Sequence, residues 1–334
     1  MRLLCIALVA ILGTAEPCAA EADLHLVADL VVGHDRPIGI VLEAVEDSRG
    51  RLYLADSGFT TIHVFSAAGT FLRQISGPGE GPGMLMIPFV LAIDANDRLV
   101  VAGAGGRVAI WDTDGNHLDE FRRRNPDGTV KSIAVTPAGD VVLAAYDPFG
   151  NTVADVYRPD GEHLISIPAT RDPVHGDDPR VRPFFGGGSV DVEPDGSILY
   201  TQQYPYLVQR FSPHGDLLDE NDEGGAGWLP APPEPQTDRE TFSVRLPGSS
   251  IDIRRVGDHV LNTATRSIGD TTRETLLTLY DAELELVAKT VLEGLHSVVG
   301  VDRKNRVLIF NRDQDDVPTV TRYELRIADG DSPD

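Results

Sequence analysis

Short runs in which apolar and polar residues alternate follow one another along most of the chain. An apolar residue at every second position is the pattern of a half-buried β-strand, whereas a helix repeats about every 3.6 residues. The first four runs fall in residues 42–50, 51–56, 61–65 and 70–75, with turn residues between them. We therefore predict an all-β protein in which four short strands form one structural unit.

The same unit recurs along the chain, as its hairpin turns indicate. The turn between the first two runs occurs at Arg49-Gly50, Asn96-Asp97, Ala138-Gly139, Asp195-Gly196, Val256-Gly257 and Lys304-Asn305. Gly, Asn and Asp readily adopt the positive φ of tight hairpins. A second turn recurs at Ala68-Gly69, Asp114-Gly115, Asp160-Gly161 and His214-Gly215, and it lacks glycine in the fifth unit, at Ala282-Glu283. Four-stranded repeats of about 40–50 residues are typical of propeller blades, so we predict a six-bladed β-propeller with four antiparallel strands per blade.

The two ends of the repeat complement each other. The sixth unit supplies three runs, in residues 297–301, 306–310 and 319–327, and the few residues after them are too polar for a fourth. A surplus run, residues 24–32, precedes the first unit. We expect this run to pair with residues 319–327, because the pairing completes the last blade, closes the ring and protects its strand edges.

Several motifs of the first two units resemble known repeats. They are the string from Gly77 to Gly83 followed by Pro88, the run of residues 51–56, and the turn Gly69-Thr70-Phe71-Leu72. These motifs resemble NHL-type repeats of bacterial six-bladed β-propeller proteins, and the resemblance covers about residues 40–330. It implies the propeller fold. It leaves the function open, because that family contains binding modules, secreted proteins without an assigned activity and a few enzymes.

The N-terminus has the features of a targeting segment. Arg2 precedes an apolar run at residues 3–12, and Cys18-Ala19-Ala20 offers small residues for cleavage. We predict a signal peptide at residues 1–20, a single propeller domain at residues 21–334, and a periplasmic or extracellular location. Lipidation of Cys18 is the alternative, but the preceding Glu16-Pro17 does not resemble a lipoprotein signal. Both cysteines lie in the segment that would be removed, so we expect no disulfide in the mature chain.

The charge of the chain narrows the choice of partners. Lys and Arg number 29 against 52 Asp and Glu, which gives a net charge of −23. A surface of this charge repels nucleic acid and anionic lipid. The simplest explanation of the charge is that it keeps the protein soluble. After the signal peptide no run is long enough to span a membrane, so we expect no transmembrane segment in the mature chain.

Two long insertions single out one face of the predicted propeller. They occupy residues 168–188 and 221–247, on the face where the connections between blades emerge. Phe184, Phe185 and Trp228 in these insertions either wall a pocket or fold over the channel mouth. Further candidates for ligand or partner binding at the same face are Arg182 in the first insertion, Lys131 and His296 at the beginnings of innermost strands, and Tyr204 and Arg312 in loops between second and third strands. The cations among them could hold a carboxylate or sulfate, unless each pairs with a neighbouring acid.

The sequence offers little that is typical of a catalytic or metal site. The histidines are spread around the ring by the repeat, so we expect no bound metal and no cofactor. The string Gly79-Glu80-Gly81-Pro82 resembles the Glu-Gly-Pro string of gluconolactonase- and regucalcin-like propellers, where the Glu binds a divalent metal, but here it belongs to a glycine-rich turn. We therefore predict a non-catalytic module that binds a protein, peptide or glycan. The alternative is a lactonase- or lyase-type enzyme with a divalent metal such as calcium in the channel.

Overall fold

The computed structural model describes residues 22–84, 86, 89–125, 130–147, 151–171, 185, 187–225, 227–231, 236–237, 242–243, 248–269, 272–312 and 315–328. The predicted signal peptide, residues 1–20, lies outside these ranges. Within them, no helix has the length and apolar character needed to cross a membrane.

Six blades of four antiparallel strands surround a central channel, as the repeat predicts. The first four blades are separate sheets, whereas the fifth and sixth form one eight-stranded sheet, because the N-terminal strand also pairs in parallel with the last strand of the fifth blade. This strand, β1 (Ala22–Val32), belongs to the sixth blade. The first blade contains β2 (Val41–Glu46), β3 (Leu52–Asp56), β4 (Thr61–Phe65) and β5 (Phe71–Ile75). The second contains β6 (Val90–Ile93), β7 (Leu99–Ala102), β8 (Arg107–Trp111) and β9 (His117–Arg122).

The third blade contains β10 (Ser132–Val135), β11 (Val141–Asp147), β12 (Thr152–Tyr157) and β13 (His163–Pro168). The fourth contains β14 (Gly188–Val192), β15 (Ile198–Gln202), β16 (Leu207–Phe211) and β17 (Leu217–Asn221). Two short strands, β18 (Gln236–Thr237) and β19 (Phe242–Ser243), pair with each other inside the second insertion. The fifth blade contains β20 (Gly248–Val256), β21 (His259–Ile268), β22 (Thr272–Tyr280) and β23 (Leu286–Glu293). The sixth contains β24 (Ser297–Val301), β25 (Val307–Arg312), β26 (Pro318–Ile327) and β1.

The hairpin turns have the backbone conformation that their residues predict. In all six blades the second residue of the first turn has a positive φ: Gly50 77°, Asp97 59°, Gly139 92°, Gly196 90°, Gly257 64° and Asn305 61°. The second turn follows the same rule at its glycines in the first four blades. In the fifth blade the left-handed position passes to Leu284, at φ 58°. Its side chain is buried in the apolar cluster of blades four and five, and this burial offsets the backbone strain.

The middle strands of each blade are buried on both faces, because neighbouring blades pack face to face. In β3, Tyr53 and Ala55 pack against the second blade, whereas Leu52 and Leu54 pack against the sixth. Successive side chains of a strand point to opposite faces, so one strand contributes to two interfaces. Each Leu side chain removed from water stabilises the fold by about 1.5–3 kcal/mol.

The N-terminal strand closes the ring. β1 pairs antiparallel with β26 from Leu24, opposite Ile327, to Val32, opposite Val320. A register shift between Ala28 and Leu30 leaves Asp29 outside the ladder. The Asp29 carboxylate instead binds Arg322, at 2.8 Å, and Arg306. The closure predicted from the surplus run is therefore confirmed, and an ion-pair network reinforces it.

Candidate functional site

The six innermost strands line the channel, and one of its ends carries the loops between blades. This end, called the loop face below, includes the turn at residues 57–60 and the connection at residues 294–296. A cavity of about 480 Å³, called the channel cavity, lies within the innermost strands of five blades. Its lining includes Val41, Glu43, Val90, Lys131, Asp252, Arg254, Ser297 and Val299.

A network of buried charges lies in the channel. Arg254 on β20 binds the Asp252 carboxylate at 2.7 Å and the Glu43 carboxyl group, on β2, at 2.5 Å. Ser189 on β14 donates a hydrogen bond to Asp252 at 2.8 Å. Asp191 accepts hydrogen bonds from the main-chain N–H groups of Val192 and Arg255. The network therefore joins blades one, four and five across the channel.

Burial controls the ionisation of this network. Three carboxyl groups share one guanidinium, and desolvation penalises each negative charge. Burial, together with the charges of Asp252 and Asp191, raises the pKa of Glu43 to about 8, although Arg254 opposes the shift. Burial likewise raises the pKa of Asp191 and of Asp252. Glu43 therefore holds its proton at neutral pH, which lowers the negative charge within the channel.

Replacing Glu43 by Gln should flatten the pH dependence of stability. The folded chain retains a proton on Glu43 between the ordinary pKa of 4.5 and about 8, and the unfolded chain releases it. The stability that this group contributes is thus complete below the ordinary pKa and is lost as the pH rises through the folded value. We expect the melting temperature of the wild type to fall more than that of Glu43→Gln between about pH 5 and about pH 9. Glu283→Gln, at an exposed hairpin turn, is the control, and parallel profiles for all three proteins would contradict the expectation.

A second cavity adjoins the channel cavity at the sixth blade. It measures about 370 Å³ and is called the blade-6 cavity. The residues that line it include Leu295, His296, Ser297, Phe310, Asn311 and Arg312. Ser297 also lines the channel cavity, so the two spaces meet at this residue. Two of the residues predicted from the sequence, His296 and Arg312, lie in the blade-6 cavity, and Lys131 lies in the adjoining one.

These three predicted residues retain unused hydrogen-bonding capacity. His296 Nε2 lies 2.8 Å from the Glu293 carbonyl oxygen, and its Nδ1 has no partner among the residues described. Arg312 contacts the Asp316 carboxylate at 3.3 Å, yet its side chain is 54% exposed. The Lys131 side chain is exposed, and within the described ranges its ammonium group makes no ion pair. Lys131, His296 and Arg312 thus lie around the two adjoining cavities, which are together called the composite opening.

The aromatic candidates lie elsewhere on the loop face. Phe185 is completely buried, and its ring centroid lies 6.3 Å from that of Tyr204. Trp228 is half-buried against the apolar cluster of blades four and five, and the Arg266 guanidinium lies 4.5 Å above its ring. Burial raises the pKa of Tyr204. Phe185 therefore belongs to the apolar core, while Trp228 and Tyr204 remain partly accessible. Arg182 and Phe184 lie outside the described residues.

The channel network was not among the features predicted from the sequence. The predicted candidates lie at the beginnings of the innermost strands, whereas the charges of the network lie further along these strands. The available signal was Asp252 and Arg254, two charged residues at alternate positions of an innermost strand, which therefore share a face. Their partner Glu43 is likewise a charged residue of an innermost strand, flanked by the apolar Leu42 and Ala44 in β2.

The Glu-Gly-Pro string lies in the connection between β5 of the first blade and β6 of the second blade. The main-chain carbonyl groups of Glu80 and Gly81 accept hydrogen bonds from Arg107 at 2.7 and 2.8 Å, and the Glu80 side chain is exposed. In the part of the chain that the structure describes, no group of three or more His, Cys, Asp or Glu side chains is placed to hold a metal ion.

Comparison with known proteins supports the fold. Residues 33–123 match the model of the DUF5128 family, which is described as a six-bladed β-propeller. No curated protein sequence matches the chain.

Solved structures share the architecture at low sequence identity. An 11% identical protein from Bacteroides fragilis, described as exported, superposes with a TM-score of 0.61 over 93% of this chain and 98% of its own. A DUF4221 member from Bacteroides vulgatus is 10% identical, with a TM-score of 0.61 over 92% of this chain and 100% of its own. Virginiamycin B lyase from Staphylococcus aureus is 11% identical, with a TM-score of 0.52 over 90% and 99%. At such identities the likeness shows the fold alone.

Proposed function

We propose that this six-bladed β-propeller is an exported, non-catalytic binding module that recognises an acidic peptide or glycan at its loop face. The observation that carries the proposal is the composite opening, in which the channel cavity and the blade-6 cavity meet at Ser297. Lys131 lines one cavity, and His296 and Arg312 line the other. The features of residues 1–20 support export.

The electrostatics favour a ligand with a carboxylate or sulfate group. In a chain of net charge −23, an anion is retained only where cations are concentrated. The Lys131 ammonium makes no ion pair among the residues described, and the exposed guanidinium of Arg312 has donors to spare. His296 Nδ1, Asn311 and Ser297 add polar contacts that would orient the ligand, and Phe310 adds an apolar surface.

The proposal predicts loss of anion binding when both cations are removed. Binding of the purified protein would be measured on an array of sulfated and uronate-containing oligosaccharides with their neutral counterparts, and of acidic peptides with their Gln-substituted counterparts. We expect the wild type to retain acidic probes of one of these classes. The Lys131→Ala/Arg312→Ala variant should bind them at least about tenfold more weakly, because it lacks two charge-assisted contacts.

A matched control separates this site from a general charge effect. Lys304→Ala/Arg158→Ala removes the same charge from distant surfaces, and Arg158 resembles Arg312 in being 54% exposed and paired four residues along the chain. The control should bind like the wild type. Equal losses in both variants, or preference for the neutral probes, would refute the proposed site. Conversion of a bound probe into products would instead indicate the lactonase- or lyase-type alternative.

A further inference from the structure

A separate pocket lies on the loop face at the outer part of the first blade. It measures about 300 Å³ and is called the blade-1 pocket. Its wall is formed mainly by Arg36, Pro37, Phe59, His63, Gln74 and Pro78. It shares no lining residue with the channel cavity or the blade-6 cavity. The pocket is therefore independent of the site proposed above.

A buried carboxylate orients the imidazole in this pocket. Asp56 is fully buried and accepts hydrogen bonds from the main-chain N–H groups of the neighbouring loops, among them Gly39 at 2.7 Å and Gly58 at 2.9 Å. Burial raises the pKa of Asp56, but the contacts with His63 and with these N–H groups outweigh it and hold the pKa below its ordinary value. The charged carboxylate lies 3.2 Å from His63 Nε2.

Both nitrogens of this imidazole lack a hydrogen bond within the described residues. His63 is 1% exposed; its Nε2 faces the Asp56 carboxylate without hydrogen-bond geometry, and its Nδ1 has no hydrogen-bond partner among the described residues. A buried polar atom without a partner costs free energy comparable to a lost hydrogen bond. The rings of Phe59 and Phe71 flank the imidazole edge-on, at centroid distances of 6.1 and 6.0 Å. Nδ1 is therefore a polar atom within an aromatic wall.

An arginine for which the described residues provide no acidic partner lines the same pocket. The Arg36 guanidinium donates a hydrogen bond to the Gln74 side-chain oxygen at 3.1 Å and lies 4.8 Å above the Phe71 ring. Its Nε has no partner, and within the described ranges no carboxylate pairs with the guanidinium. In this strongly acidic chain such an arginine is a ready partner for an anion.

We propose that the blade-1 pocket binds a small aromatic carboxylate, with the carboxylate between Arg36 and His63 Nδ1 and the ring against Phe59. The bound carboxylate faces the imidazole from the side opposite to Asp56. The aromatic ring covers Phe59, which is 54% exposed, and lies between the two prolines. The volume of the pocket accommodates a molecule of this size and excludes a folded partner.

Ligand-observed NMR with defined probes tests the proposal. Benzoate, phenylacetate and 4-hydroxyphenylacetate would be compared with the neutral amides benzamide and phenylacetamide, and with acetate. We expect the aromatic acids to bind at least about tenfold more tightly than the amides, because only the acids pair with the guanidinium. Acetate, which lacks the ring, should bind more weakly than any of the aromatic acids.

Two variants separate the contributions of charge and ring. Arg36→Gln should reduce the affinity for the acids to that for the amides, and Phe59→Ala should weaken both series without changing the melting temperature. Arg158→Gln is the charge-matched control and should behave like the wild type. Equal affinities of acids and amides, unchanged binding by Arg36→Gln, or no binding of the acids at millimolar concentrations would overturn the proposal. Lys131→Ala should leave this binding unchanged, so failure of the two sites is distinguishable.

Discussion

Deleting strand β1, residues 22–32, is expected to abolish soluble expression or to lower the melting temperature by many degrees. The deletion removes the partner of β26 along its length and exposes the edge of the sixth blade. It also removes Leu24 and Val32, each 2% exposed, from the apolar interfaces on both sides of that blade. Since the mature chain is predicted to contain no disulfide, closure of the ring depends on this strand pairing, on apolar packing and on the Asp29 ion pairs.

Point variants in the same strand distinguish the effect of losing a buried side chain from the effect of changing an exposed one. Leu24→Ala should cost about 2–5 kcal/mol, the usual cost of emptying a buried leucine site. Val27→Ala and Val31→Ala alter side chains that are 39% and 44% exposed, and these variants should be almost neutral. Chemical denaturation of the three variants measures the difference. A deletion variant that melts at the wild-type temperature would show that the ring closes without β1.

Replacing Arg254 by Met is expected to destabilise the protein by about 3–5 kcal/mol near pH 8, because it leaves buried carboxyl groups without their cation. The Arg254 guanidinium forms ion pairs with Asp252 and Glu43, and its positive charge also lowers the pKa of Asp191 against the effect of burial. The pKa values of these carboxyl groups are already raised by burial, and the variant raises them further. A raised pKa contributes stability at low pH that is lost as the pH rises, so the defect should shrink as the pH is lowered towards about 5.

The adjacent arginine provides the control for this variant. The Arg255 side chain is 32% exposed and faces the exposed Asp258 at 3.9 Å, while its main-chain N–H still bonds to Asp191 after substitution. Arg255→Met should therefore change the stability little, because exposed ion pairs contribute at most about 1 kcal/mol. The double variant Glu43→Gln/Arg254→Met should recover part of the loss. A defect that does not depend on pH would indicate lost packing and not uncompensated charge.

The sequence by itself determined the blades. Alternation of apolar residues identified the strands, and Gly, Asn or Asp at a recurring turn position identified the hairpins, because both signals act over a few residues. The surplus N-terminal run was recognised by counting strands, and it pairs as expected. The face that carries the insertions could also be predicted from the sequence. Successive strands of a blade run in opposite directions, so their connections lie alternately on the two faces of the ring.

Only the tertiary structure decided what the loop face and the channel contain. Arg254 and Glu43 meet although 211 residues separate them, and nothing local to either residue marks the other as its partner. Phe185 and Lys131 were both candidates for binding, yet Phe185 is completely buried, whereas Lys131 is exposed beside the channel cavity. The contact between His63 and Asp56 depends on the register of the hairpin formed by β3 and β4. The pocket beside His63 also depends on the connection between β1 and β2, which carries Arg36. Convergence of side chains from different blades depends on how blades far apart in the sequence pack around the channel, which short-range sequence patterns do not encode.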